Sequence, residues 1–207
     1  MKQHILFSDF DGTITDDKEE INQDIIKEFQ LLAEKGIVRV IASGRSLYSA
    51  KQVLAKEFPI DYLIFSSGAG IYDWKKQEVI YRAELSEKDS QLIGDTLFQE
   101  SADFMIHRMI PDNHIFDYYF HHSDNHDFFR RLSLYQPFAS LIDKEHFEYK
   151  ACTQFLVIDQ FHGHLIQRLK KHLKDFSIIL ATSPLDHQSL WIEIFNKRVS
   201  KSLSAQY

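Results

Sequence analysis

The sequence predicts an α/β protein, in which a sheet of parallel strands is accompanied by a second, α+β unit. Two observations predict the parallel sheet: strand and helix signals alternate over the first 73 residues, and the strand segments are apolar rather than alternating. Apolar strands of this kind are typical of a sheet that helices cover on both faces. A third observation, the change to aromatic-rich segments from about Trp74 onward, predicts the second unit.

The elements of the first part have recognisable ends. Asn22 is a favourable N-cap residue for the first helix, and Gly36 suits its C terminus because glycine readily adopts positive φ. The second helix should end before Pro59, since the residue ahead of a proline disfavours helical geometry. In chain order we predict a strand over 4–8, a helix over 22–36, a strand over 37–42, a helix over 46–57 and a strand over 62–65.

The middle part lacks this regular alternation and indicates an inserted α+β domain. Apolar strand sequence of the first kind returns after Ser189. We therefore predict a Rossmann-like core domain of residues 1–73 plus 190–207, and an inserted domain of residues 80–185. Within the insert we predict strands over 105–108 and 115–120, a helix over 124–134, a strand over 154–158, a helix over 163–173 and a strand over 177–181.

Composition limits the classes of function. The formal net charge of −6 argues against a general nucleic-acid binder, which needs a basic face for phosphates. No segment approaches the run of about 20 apolar residues that spans a membrane, and no leader is evident, so we expect a cytoplasmic protein. The single cysteine, Cys152, is expected to be a buried apolar residue. The neighbouring His121 and His122 should diverge, so we do not predict a transition-metal site there.

The sharpest chemical signal is Asp9-Phe10-Asp11-Gly12-Thr13, directly after the first strand. Side chains alternate along a strand, so Asp9 and Asp11 should point to the same side. Paired oxygen ligands suit Mg²⁺, and one carboxylate could attack phosphorus while the other handles the proton of the leaving group. A plain acidic turn is the alternative. Four glycines also follow predicted strands, where open α/β sheets bind ligands, namely Gly12, Gly44, Gly68 and Gly70.

Residues 9–13 resemble the first motif of the haloacid dehalogenase superfamily, Asp-x-Asp-Gly-Thr. The resemblance implies that Asp9 forms an aspartyl-phosphate and that Asp11 is the general acid/base. It also implies that Mg²⁺ binds the Asp9 side chain and the Asp11 backbone carbonyl. Residues 41–45 are similar to the second motif, in which Ser43 binds the phosphoryl group with the N–H of Gly44. We assign Gly12 to phosphate binding as well. For Ser43 alone, a helix N-cap is an equally good interpretation.

Residues 193–201 resemble the approach to the third motif in the Cof-type branch of this superfamily. That motif contains a lysine that pairs with the nucleophile and the phosphate. Lys201 fits by spacing, and Lys197 is the weaker candidate. Ser67-Gly68-Ala69 also looks Cof-like, although Ser67 stands where the branch usually has asparagine. The resemblance extends over essentially the whole chain and implies a large α/β cap domain between the second and third motifs.

The fourth motif of the family, an acidic loop, follows the helix that begins near Lys201, and the sequence ends at Tyr207 before it. We therefore expect weak Mg²⁺ binding and slow turnover. We also expect the first strand to lie at a sheet edge, where self-association is favoured. The predicted function is a Mg²⁺-dependent phosphatase for a small phosphorylated metabolite, with sugar phosphates as candidates. The alternatives are a non-catalytic remnant or binding module, and a phosphotransferase or mutase that uses Asp9 in the same way.

Overall fold

The computed structural model describes residues 4–16, 18–160 and 164–201 of the chain. The chain forms two compact units, the first of residues 1–83 and 199–207 and the second of residues 84–198. Each unit has its own sheet, and the predicted α/β class is confirmed. No helix in these described ranges is both long enough and apolar enough to cross a membrane.

The first unit is built on a five-stranded mixed sheet. Its elements are β1 (Ile5–Asp9), α1 (Gln23–Glu34), β2 (Val38–Ala42), α2 (Leu47–Val53), β3 (Tyr62–Phe65), β4 (Gly70–Asp73) and β5 (Glu78–Arg82). The strands lie in the order β1-β2-β3-β4-β5. β1, β2 and β3 pair in parallel, as predicted, whereas β3-β4 and β4-β5 are antiparallel pairs that the sequence did not indicate.

Both helices of this unit begin at a residue whose side chain forms an N-cap hydrogen bond. The Asn22 side chain accepts the backbone N–H of Asp24, which confirms the predicted start of α1. The Ser46 side chain accepts the N–H of Ser49 at the start of α2. Gly36 follows α1 with a φ of +69°, in the left-handed region that glycine tolerates. The starts of both helices and the end of α1 therefore come from local chemistry that the sequence displays, whereas α2 ends at Val53 rather than at the predicted residue 57.

An ion pair with little exposure ties β2 to the segment before β3. The side chains of Arg39 and Asp61 are 6% and 12% exposed, and their Nη2 and Oδ2 atoms are 2.7 Å apart. The Arg39 backbone N–H and Nε also donate to Asp61 Oδ2, each at 2.9 Å, while Nη1 donates to the Phe29 carbonyl of α1. Arg39 thus joins three segments of the first unit.

The second unit is built on a six-stranded sheet. Its elements are α3 (Glu87–Gln99), β6 (Phe104–His107), β7 (Phe116–Tyr119), α4 (His126–Leu134), β8 (Ala139–Leu141), β9 (Gln154–Asp159), α5 (Leu165–His172), β10 (Phe176–Thr182) and β11 (Leu190–Asn196). The strands lie in the order β10-β11-β9-β6-β7-β8, and every neighbouring pair is antiparallel except β7-β8. The elements predicted for this region are present within two residues, and Gly163 of the predicted helix lies outside the described residues.

Alternate residues of the second sheet pack into two apolar clusters. Phe104 and Ile106 belong to a cluster that contains Ile93 of α3 and Leu169 of α5. Met105, between them in sequence, belongs to the cluster that contains Phe128 of α4. Helices therefore pack against both faces of the sheet. Cys152 is 2% exposed in the first of these clusters, as expected, and burial raises the pKa of its thiol to about 12.

The predicted domain boundaries are wrong at two places. Residues 190–196 form β11, which pairs with β9 and β10 in the second unit. Trp191, Ile192 and Ile194 of this strand are buried in its two apolar clusters, so the chain returns to the first unit at residue 199 rather than 190. The first unit also continues to residue 83 rather than 73, because β5 completes its sheet.

The edge position of β1 generates a first prediction. Among the described residues β1 pairs only with β2, and its Ile5 and Phe7 side chains are 52% and 44% exposed. An apolar strand with unpaired backbone groups favours pairing with another chain. Phe7→Lys should therefore lower concentration-dependent association in sedimentation velocity. Leu31→Lys is the control, because Leu31 is 46% exposed on a helix without free strand groups. Equal association of Phe7→Lys and the unmodified protein would contradict this role.

The Arg39–Asp61 pair generates a second prediction. Burial alone would raise the pKa of Asp61, but its bonds to Lys75 and Arg39 lower that pKa below the ordinary carboxyl value. Asp61 therefore stabilises the fold above its ordinary pKa, and this contribution is lost as pH falls through the lowered value. At neutral pH, Arg39→Met should cost about 3–4 kcal/mol of unfolding free energy in urea titrations. Lys75→Met should cost less than about 1 kcal/mol, since the Lys75 side chain is 70% exposed. Similar losses in both variants would count against this account.

Candidate active site

Asp9 and Ser43 lie at the same edge of the first sheet. β1 ends at Asp9, and this residue is the parallel partner of Ala42, the last residue of β2. Ser43 follows directly and is 1% exposed. The carboxyl ends of neighbouring parallel strands form the usual ligand-binding edge of such sheets. The two strands therefore end at the same edge, with Asp9 as the last residue of β1 and Ser43 directly after β2.

A tight turn after β1 carries Asp11. The backbone N–H groups of Thr13, Ile14 and Thr15 all donate to the carbonyl of Phe10, at 3.3, 2.9 and 3.1 Å. Phe10 is fully buried below the turn. Gly12 has a φ of +70°, where a residue with a Cβ atom is strained. Local backbone geometry thus explains the glycine of this motif, and phosphate binding by Gly12 remains a prediction.

Lys201 contacts Asp9 although 192 residues separate them. Its Nζ atom donates to Asp9 Oδ1 at 2.6 Å, and the two side chains are 46% and 51% exposed. Lys197, the weaker candidate, lies in the second unit, where its Nζ atom is 3.9 Å from Asp175 Oδ1. The structure therefore brings together the lysine favoured by spacing and the predicted nucleophile.

Asp11 is held by two groups that follow β2. Ser43 Oγ donates to Asp11 Oδ2 at 3.3 Å, and Arg45 Nε donates to Asp11 Oδ1 at 2.8 Å. Ser43 Oγ also accepts the backbone N–H of Arg45 at 3.0 Å. The N-cap of α2 is Ser46, so the alternative interpretation of Ser43 as that N-cap is wrong.

Arg45 and Glu19 were missed by the sequence interpretation. Arg45 Nη2 lies 2.7 Å from Asp11 Oδ1 and 2.6 Å from Glu19 Oε1. Burial alone would lower the pKa of Arg45, but hydrogen bonds and Coulombic attraction from Asp11 and Glu19 outweigh burial and raise it. Arg45 directly follows the Ser43-Gly44 pair, which is a signal that could have identified it. Nothing near Glu19 in the sequence indicates its contact with Arg45.

The loop after β3 supports the loop that contains Ser43. The backbone N–H of Ser67 donates to the Ser43 carbonyl at 3.1 Å, and that of Ser66 donates to the Arg45 carbonyl at 2.8 Å. A side chain at Gly44 would make ordinary contact with Ser67 Oγ. Gly70 differs, because a Cβ atom there would clash with the ring of Phe65. Gly70 is therefore explained by packing within the sheet.

A cavity of about 610 Å³ lies within the second unit, lined by residues that include Ile106, Arg108, Asp117 and Lys150. Burial raises the pKa of Asp117, and the charges of Arg108 and Lys150 partly offset this. Volumes of this order hold small molecules. However, none of residues 9, 11, 43 and 201 lines the cavity. The candidate active site in the first unit is therefore identified by its reactive side chains and not by the size of a cavity.

Sequence comparisons agree with the motif assignment. A family model described as haloacid dehalogenase-like hydrolase matches residues 6–207. A protein of Buchnera aphidicola subsp. Baizongia pistaciae that is provisionally named a phosphatase is 35% identical over 85 residues. That alignment covers 41% of this chain and 32% of the relative. The chain thus matches about a third of this relative's length.

Solved structures share the fold over nearly the whole chain. A phosphatase of the haloalkanoate (HAD) enzyme superfamily from Bacteroides thetaiotaomicron gives a TM-score of 0.75 at 21% identity, covering 99% of this chain and 72% of that one. A HAD subclass IIB sugar phosphatase gives 0.70 at 16% identity, covering 99% and 74%. A Thermotoga maritima protein gives 0.70 at 19% identity, covering 99% and 73%. At these identities the likeness establishes the fold.

Proposed function

The chain belongs to the haloacid dehalogenase-like hydrolases, and on that basis we propose that it is a phosphatase with Asp9 as its nucleophile. One observation carries the proposal: Asp9, Asp11, Ser43 and Lys201 converge at one sheet edge in the first unit. A carboxylate nucleophile, a second carboxylate, a hydroxyl donor and an ammonium group are what phosphoryl transfer through an aspartyl-phosphate requires.

In the proposed reaction, an Asp9 carboxylate oxygen attacks phosphorus and the bond from phosphorus to the leaving oxygen breaks. Asp11 gives a proton to that leaving oxygen. Asp11 then takes a proton from a water molecule, which attacks the aspartyl-phosphate and releases inorganic phosphate. Ser43 Oγ and the Gly44 N–H would donate to the phosphoryl oxygens. The Lys201 ammonium group, 2.6 Å from Asp9 Oδ1, reduces repulsion between the carboxylate and the anionic substrate.

Mg²⁺ fits the oxygen atoms at this site. Hard cations prefer carboxylate and carbonyl ligands, and the chain would supply the Asp9 carboxylate and the Asp11 backbone carbonyl. Asp9 Oδ1 accepts from Lys201, so its second carboxylate oxygen remains as a ligand. When bound, Mg²⁺ would offset the negative charge that accumulates between Asp9 and the phosphoryl group. Within the described residues no cluster of three or more His, Cys, Asp or Glu side chains is placed to hold a metal ion.

The proposed substrate is a small phosphorylated metabolite, and sugar phosphates are the first class to test. A HAD subclass IIB sugar phosphatase shares the fold, which supports this choice. The location in the cytoplasm, and the expectation that neither nucleic acid nor a membrane is a partner, remain predictions from composition. Release of phosphate from a substrate would distinguish a phosphatase from a non-catalytic binding module. Transfer of the phosphoryl group to an acceptor other than water would instead identify a phosphotransferase or mutase.

The nucleophile assignment gives a direct test. Asp9→Asn should lower phosphate release from a panel of sugar phosphates by about a thousandfold or more, because the covalent route is lost. Circular dichroism should show an unchanged fold. Asp24→Asn is the matched control, since Asp24 is a surface residue of α1 with a 78% exposed side chain. Full turnover by Asp9→Asn would show that the proposed mechanism is wrong.

The metal-ligand set gives a further prediction. The proposed ligand set is one carboxylate and one carbonyl, and no group of three acidic, histidine or cysteine ligands is found among the described residues. Mg²⁺ should therefore bind weakly, with a dissociation constant of about a millimolar by isothermal titration calorimetry. Asp9→Asn should remove the binding heat, and Asp24→Asn should leave it unchanged. Micromolar binding by the unmodified chain, or binding that survives Asp9→Asn, would contradict this ligand set.

A further inference from the structure

Arg45 lies between two carboxylates in an arrangement that distinguishes the two oxygens of Asp11. Arg45 Nε and Nη2 both contact Oδ1, at 2.8 and 2.7 Å. The other oxygen, Oδ2, accepts from Ser43 Oγ at 3.3 Å. Arg45 makes two short contacts to Oδ1, whereas the bond from Ser43 Oγ to Oδ2 is longer, so Oδ2 becomes available for proton exchange once Ser43 Oγ turns to the phosphoryl group. Oδ2 faces the hydroxyl that is proposed to bind the phosphoryl group.

Glu19 holds Arg45 from the opposite side. Its Oε1 atom accepts from Arg45 Nη2 at 2.6 Å. Arg45 is also fixed by the ring of Phe10, whose centroid lies 5.2 Å from the guanidinium carbon. The Arg45 side chain is only 17% exposed, so few other orientations are open to it once both carboxylates are bound.

The backbone around Glu19 is arranged to place this residue. Thr15 and Ile21 form an isolated antiparallel bridge, which closes a short hairpin. Inside it, Asp16 Oδ1 accepts the backbone N–H groups of Lys18 and Glu20, each at 2.9 Å. Glu19 itself has a φ of +62°, a left-handed conformation that costs a non-glycine residue about 1–2 kcal/mol. The hairpin therefore holds Glu19 in a strained conformation that presents its carboxylate to Arg45.

We propose that Glu19 is a positioning residue, which acts through Arg45 to hold the Asp11 carboxylate with Oδ2 toward the phosphoryl site. The inference rests on the proposed function of the same site. A stability role explains the contact less well, because the Glu19 side chain is 60% exposed. Exposed ion pairs contribute only about 0–1 kcal/mol to folding.

The role predicts a dependence on the leaving group. A sugar alkoxide needs the proton that Asp11 Oδ2 donates as the bond to phosphorus breaks. The leaving oxygen of p-nitrophenyl phosphate departs as a stable phenolate, so it needs no proton. Misplacing Asp11 should therefore slow phosphorylation of Asp9 by sugar phosphates much more than phosphorylation by p-nitrophenyl phosphate.

Single-turnover kinetics on the full chain with both substrates test this. Glu19→Gln should lower the phosphorylation rate constant about tenfold with a sugar phosphate and less than about twofold with p-nitrophenyl phosphate. Glu20→Gln is the matched control and should leave both rates unchanged, because it makes the same charge change at the next, exposed residue of the hairpin. In an Arg45→Met background, Glu19→Gln should cause no further loss. Equal losses with both substrates, or additive losses in the double variant, would overturn the inference.

Crystal structures test the positioning role of Glu19 independently of the proposed function. If the unmodified chain turns over neither substrate, the phosphatase proposal fails by itself. Structures of the unmodified protein and of Glu19→Gln then still decide the positioning role. We expect Arg45 to leave Asp11 Oδ1 in Glu19→Gln and the Asp11 carboxylate to rotate. Unchanged positions of Arg45 and Asp11 in that variant would overturn the inference whether or not the protein is active.

Discussion

The parallel register of β1 and β2 is the constraint on which the candidate active site depends. Asp9 lies opposite Ala42, so the last residue of one strand and the first residue after the other share an edge. A shift of one residue would turn every side chain of β1 to the other face of the sheet. Asp9 would then no longer lie opposite Ala42 with its present side-chain direction. The tight turn at Phe10, and the return of the chain at Lys201, place further groups only because this register is fixed.

At this edge of the sheet each carboxylate is paired with a positively charged side chain. Lys201 binds Asp9, and Arg45 bridges Asp11 and Glu19. Three carboxylates would otherwise repel one another and an incoming phosphate. Asp9, Asp11 and Lys201 are each about half exposed, so their ion pairs add little to folding stability. Their effect is better understood as orientation, because each cation fixes one carboxylate oxygen. Arg39–Asp61 is the contrasting case, since exposure there is low and the pair joins segments of the fold.

Two buried carboxylates connect distant segments of the second unit through hydrogen bonds. Asp103 accepts the backbone N–H groups of His121 and His122 and the side-chain amide of Asn125. Asp127 accepts from Ser183 Oγ at 3.0 Å and from Trp191 Nε1 at 2.7 Å. Both carboxylates are almost completely buried, and several donors compensate each for the loss of water. Asp103 thus connects the segment after β7 to the start of β6, and Asp127 connects α4 to β11 and to the loop that precedes β11.

The sequence by itself determined the features that rest on local chemistry. Strand periodicity, the Asn22 cap and the motif around Asp9 and Asp11 are properties of adjacent residues, and they were sufficient for the α/β class and most of the candidate site. Only the tertiary structure decided which distant segments lie side by side. It placed β11 in the second sheet and Glu19 on Arg45, and it brought Lys201, which spacing had favoured, to Asp9. The physical reason is that strand pairing and ion pairing depend on proximity in space. The residues adjacent to a charge or within an apolar strand do not indicate which distant residue or strand will pair with it.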